Sequence, residues 1–98
     1  MLLRHGDLLL KTIEILPKNA KKINTDTLQE GEVTGHKHRL QGNFEILIQN
    51  NQKFVNAKSQ LELVHEEHKT IQIPIGMYVL VQEREFDIFE QISQEVHD

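Results

Sequence analysis

Phe44 to Gln49 and Gln52 to Ala57 face each other across Asn50-Asn51, and no other stretch restricts the fold of this chain so tightly. Both runs are rich in β-branched, aromatic and aliphatic residues. Asparagine tolerates the positive φ that a two-residue type I′ turn needs at both positions, so the sequence predicts a β-hairpin. A two-residue turn also fixes the register. It sets Ile46 opposite Val55 and Phe44 opposite Ala57 on one face, and Leu47 opposite Phe54 on the other. Apolar pairs on both faces place the hairpin in a barrel wall, in a sandwich, or in a sheet whose outer face is covered.

The rest of the chain reads as strands of similar length. Asp7 to Leu16 is apolar on both faces, as in a strand with two neighbours, and Pro17 ends it. Lys18 to Asp26 is polar and reads as a loop. Thr27 to Glu32 returns as a strand into a stretch punctuated by Gly31 and Gly35. Gln60 to His65 alternates, with Leu61, Leu63 and His65 on one face. Thr70 to Ile73 is extended, Pro74-Ile75-Gly76 turns, and Met77 to Arg84 is the last strand. Asp87 then reads as a helix N-cap with Glu90 three residues on, followed by an apolar stripe of Ile88, Phe89, Ile92 and Val96. The expected architecture is mainly β: a small barrel or sandwich of about six strands with one short C-terminal helix.

Ninety-eight residues predict a single domain over 1–98. There is no cysteine, which excludes disulfides, thiolate metal sites and cysteine nucleophiles. No run approaches the ~18 apolar residues of a membrane span, and the start has no apolar core behind a basic patch. A cytoplasmic protein without membrane contact is the expectation. The net charge of −4 is unevenly spread: residues 1–60 carry nine Lys/Arg against six Asp/Glu, and residues 61–98 carry two against nine. Two solvated faces of different charge account for this. The sharper reading is a basic face, including Lys18, Lys21, Lys22, Lys37, Arg39 and Lys53, that meets RNA or another phosphate-bearing ligand.

Four of the six histidines fall in two short pieces, Gly35-His36-Lys37-His38-Arg39 and His65-Glu66-Glu67-His68. On a strand, His36 and His38 share one face. With His65 they could hold zinc or another divalent ion as a three-histidine site that keeps a position open for water. The second piece is not a zincin motif, which needs histidines at i and i+4 on a helix; here they stand at i and i+3 after a strand. A metal is not required. Among His36, His38, His65 and His68, two imidazoles can divide the general-base and general-acid work of phosphoryl transfer, with Lys37, Arg39 or Arg84 taking up the developing charge. His5-Gly6-Asp7 reads more simply as a strand-entry turn. The functional expectation is a small hydrolase acting on an RNA-type phosphodiester through these histidines. The alternative is a non-enzymatic module that uses the same polar surface to bind a protein or nucleic acid.

Two resemblances bear on these residues. Gly31, His36, His38, Glu45 and Pro74-Ile75-Gly76 are similar to the two motifs of cupins, which would imply a β-barrel with a metal site. The chain departs from the cupin pattern in its spacing from Gly31 to His36, in the distance to Glu45, and in Val79, which stands where the second motif has its histidine. Over nearly its whole length the chain also resembles a group of small uncharacterised bacterial and phage-encoded proteins. The similarity lies in Arg4 to Leu9, Gly31 to Leu40, His65 to His68, Ile73 to Tyr78 and Gln82 to Asp87. That resemblance implies a shared site and supplies no reaction.

Overall fold

The computed structural model describes residues 1–6, 8–30 and 37–82. These form ten strands: β1 (Leu2–His5), β2 (Leu8–Ile13), β3 (Lys21–Ile23), β4 (Thr27–Glu30), β5 (Lys37–Gln41), β6 (Phe44–Gln49), β7 (Gln52–Ala57), β8 (Leu61–Val64), β9 (Ile71–Ile73) and β10 (Gly76–Gln82). They build two antiparallel sheets, one ordered β1-β2-β10-β7-β6-β3 and the other β4-β5-β8-β9.

The hairpin adopts the register that its turn dictates. Ile46 pairs with Val55, Phe44 with Ala57 and Leu47 with Phe54. Asn50 and Asn51 take φ of 53° and 62°, as a type I′ turn requires. Leu8, Leu9 and Leu10 are all fully buried. Such a run is accommodated because β2 has β1 on one edge and β10 on the other, and both of its faces are covered. Each buried leucine contributes about 1.5–3 kcal/mol relative to exposure.

One core joins the two sheets. Leu8, Leu10, Ile46, Val55, Ala57, Tyr78 and Leu80 come from the six-stranded sheet, and Leu28, Leu40, Leu61, Leu63 and Ile73 from the four-stranded one. Alternation puts Leu9, Phe54 and Val79 on the opposite face of the larger sheet, where they too are buried. The Tyr78 hydroxyl donates to the Pro74 carbonyl at 2.8 Å, which satisfies the one polar atom of this buried ring.

The sheets do not close into the barrel that one expectation allowed and the cupin resemblance implied. Among the described residues each sheet has two edge strands: β1 and β3 in one, β4 and β9 in the other. Ten strands form among the described residues where about six were expected; the additions include short edge strands at Leu2–His5 and at Lys21–Ile23, the second inside the stretch read as a loop. Charged residues on such an edge, here Lys21 and Lys22, discourage pairing with another chain. The expected C-terminal helix lies outside the described residues. Among those described, no helix is long and apolar enough to cross a membrane.

Candidate functional site: a four-imidazole cluster between the sheets

The site is assembled by strand parity. In β5, Lys37, Arg39 and Gln41 are exposed while His38 and Leu40 are buried, so His38 points into the interior beside the core leucine. In β8, Leu61 and Leu63 are buried, and His65 follows just past the strand end in the same phase. His5 ends β1 and pairs with Leu8, so it shares a face with Leu3, Leu8 and Leu10. His68 sits in the β8–β9 connection. Four imidazoles from two sheets and one connection thus meet at one end of the interior.

The ring centroids lie 4.3 Å apart for His38 and His65, 4.6 Å for His65 and His68, and 5.0 Å for His5 and His38. The other three separations are 5.6 Å for His5–His68, 6.0 Å for His38–His68 and 6.2 Å for His5–His65. His5 and His38 are 3% and 2% exposed, whereas His65 is half-buried and His68 is exposed. The cluster therefore has a dry back and a wet front.

The hydrogen bonds assign the protons. His5 Nε2 lies 2.7 Å from the Lys69 carbonyl oxygen, which can only accept, so Nε2 carries the proton. Burial is the largest influence on this ring and holds its pKa below the ordinary 6.5, opposed by the bond to Lys69 and reinforced by repulsion from His68 and His65. A neutral His5 has a lone pair on Nδ1. His38 Nδ1, 3.0 Å away, must then be the donor, which leaves the His38 lone pair on Nε2. The Glu67 backbone N–H donates to His65 Nδ1 at 3.0 Å, so a neutral His65 carries its proton on Nε2.

The connection is shaped around these rings. Gly6 has φ of +64° and closes the β1–β2 turn with the His68 ring against its Cα. A Cβ there would collide with His68 Nε2 and meet Cδ2 at 2.8 Å, so glycine is required both by the backbone and by the ring. On the other side, Glu66 Oε2 accepts the Lys37 backbone N–H at 3.0 Å, which ties the connection to the head of β5.

The structure thus brings His38, His65 and His68 together and adds His5. His5, which in the sequence reads as part of a strand-entry turn before Gly6, was not among the expected site residues. The signal was the two-residue Gly6-Asp7 spacer, which makes Leu2–His5 and Leu8–Ile13 a hairpin and turns His5 inward. Lys37 and Arg39 are not brought to the cluster. They flank His38 in sequence, but the pleat turns them to the opposite, exposed face of β5. His36 and Arg84 lie outside the described residues. Among the described residues, no group of three or more His, Asp or Glu side chains is arranged to hold a metal ion. His5 and His38 spend a nitrogen on each other, and His65 Nδ1 is occupied by a backbone N–H.

A family model described as a domain of unknown function, DUF8820, matches residues 4–83, and the chain belongs to that family. The matched span contains all four clustered histidines. No curated protein and no solved structure matches the chain.

Proposed function

We propose that the imidazole cluster is the working centre of this family member and that it moves protons in a hydrolytic reaction, with an RNA-type phosphodiester as the substrate class. The observation that carries the reading is the pairing of a buried, ordered half with a solvent-facing half. His5 and His38 are locked to each other and to the Lys69 carbonyl. Half-buried His65 and exposed His68 stand 4.6 Å apart at the front.

In this scheme His68 takes the proton of the attacking hydroxyl or water and returns it to the leaving oxygen. His65, with Nδ1 occupied, offers its Nε2–H to the oxygen on which charge develops. His5 and His38 touch no substrate and hold the front rings from behind. Lys37 and Arg39, on the other face of β5, would act only in capturing a polyanion.

The test is turnover of a panel: an RNA oligonucleotide, a 2′,3′-cyclic phosphate, an aryl phosphodiester and an aryl ester, each with and without a chelator. His68→Ala and His65→Ala should each lower the rate by about 10²–10⁴, the usual worth of a positioned acid–base group. Persistence in chelator supports imidazole catalysis; abolition by chelator with recovery on added zinc favours the metal-dependent reading. Absence of turnover on all four substrates contradicts the proposal.

The interaction-module reading draws on one observation, the separation of Lys37 and Arg39 from the imidazoles. It predicts salt-dependent RNA binding that Lys37→Ala and Arg39→Ala weaken and that the histidine variants leave intact.

A further inference from the structure

The β8–β9 connection, His65 to Thr70, is stitched to both sheets. Its far end is held to the six-stranded sheet by the His5 Nε2–H bond to the Lys69 carbonyl and by the seat of His68 on Gly6. Its near end is held to the four-stranded sheet by the Glu66 carboxylate, which accepts the Lys37 N–H across 29 residues of chain. His65 immediately precedes the Glu66 tie, and His68 immediately precedes Lys69, so each solvent-facing imidazole stands next to a tied residue.

We propose that Glu66 is the positioning residue of the site: its carboxylate pins the start of the connection to β5 and thereby sets His65 against His38 and His68. This rests on the reading of His65 and His68 as the working imidazoles, and it names the group that holds them. The chemistry fits the task. A carboxylate accepting a backbone N–H makes a charge-assisted bond, stronger than a neutral pair. Lys37 and His38 are neighbours in β5, so the pin acts one residue from the ring that His65 packs against at 4.3 Å. Glu66 is exposed and contributes nothing to the core, so its loss leaves the two-sheet scaffold standing. Glu67, by contrast, fixes the His65 tautomer through its backbone, which a side-chain change does not touch.

The experiment compares Glu66→Ala and Glu66→Gln with the unaltered chain. Amide exchange at Lys37 should speed up about tenfold in Glu66→Ala, the equivalent of losing one net hydrogen bond. The His65 ring resonances should shift in the same variant, while those of His5 stay in place because their tie is to Lys69. Glu66→Gln keeps an acceptor and should restore both readouts toward the starting values. On any substrate of the panel that turns over, Glu66→Ala should lower kcat and leave KM unchanged. Unaltered Lys37 exchange and His65 resonances in Glu66→Ala overturn the proposal, and so does a Glu66→Gln variant as impaired as Glu66→Ala. Exchange and ring spectra need no substrate, so they separate failure of this tie from failure of the hydrolytic reading.

Discussion

Replacing His5 by leucine removes the acceptor for the His38 Nδ1–H and the donor to the Lys69 carbonyl while nearly conserving volume. His38 is 2% exposed, so its Nδ1–H loses this acceptor in a site largely shielded from water. The lost bond contributes about 1 kcal/mol net, and an unsatisfied buried donor costs a further ~1–3 kcal/mol. His5→Leu should therefore destabilise by about 2–4 kcal/mol, and for a domain of this size that lowers Tm by ~8–20 °C. His38→Leu strands the His5 Nδ1 lone pair and should cost a similar amount. The double variant replaces both partners by apolar groups and leaves neither stranded, so it should be more stable than the sum of the singles by at least ~1 kcal/mol. Urea titrations of the four proteins, monitored by far-UV circular dichroism, give this coupling. Additivity within about 0.5 kcal/mol would refute the claim that the two Nδ1 atoms share a proton.

The same pair predicts a pH dependence. The folded pKa of His5 is depressed below 6.5, so the unfolded chain binds the proton more readily. Stability is then full above pH 6.5 and falls as pH drops through the folded value. Urea midpoints between pH 7.5 and 5 should decline in the natural chain and flatten in His5→Leu. A separate acidic limb belongs to Glu45, held down to about 2 by hydrogen bonds from Lys22 and then Lys58. Its stabilisation is present above pH 4.5 and lost below, so Glu45→Gln should soften that limb and leave the neutral one unchanged. Gly6→Ala forces a β-carbon into the left-handed region at a cost of about 1–2 kcal/mol and pushes His68 off its seat. Its Tm should fall and the His68 resonances should move, whereas unchanged values would mean that Gly6 does not set the connection.

The hairpin and the buried β2 were legible because their signals are local. Asn50-Asn51 fixes one register, and three consecutive leucines demand neighbours on both sides. The edge strands were not. Lys21–Ile23 has one apolar residue, and its strand character comes from pairing with Ile46–Ile48, a contact that no local pattern encodes. Two of the four clustered rings followed from spacing: the phase of Leu61 and Leu63 carries His65 toward the interior, and alternation along β5 buries His38. His5 was hidden because its role depends on β1, a strand of four residues that exists only as the partner of β2. Lys37 and Arg39 were placed with His38 by sequence proximity, which in a strand means opposite faces.

The site is built on a defined proton arrangement in the cluster, and long-range ¹H–¹⁵N correlation of the six imidazoles at pH 7.5 reads it directly. Single histidine substitutions assign the signals. The expected result is His5 with its proton on Nε2, His38 with its proton on Nδ1 and His65 with its proton on Nε2. A His38 ring protonated on Nε2 alone, or a doubly protonated His5 at that pH, would contradict the hydrogen-bonded pair on which the site is built.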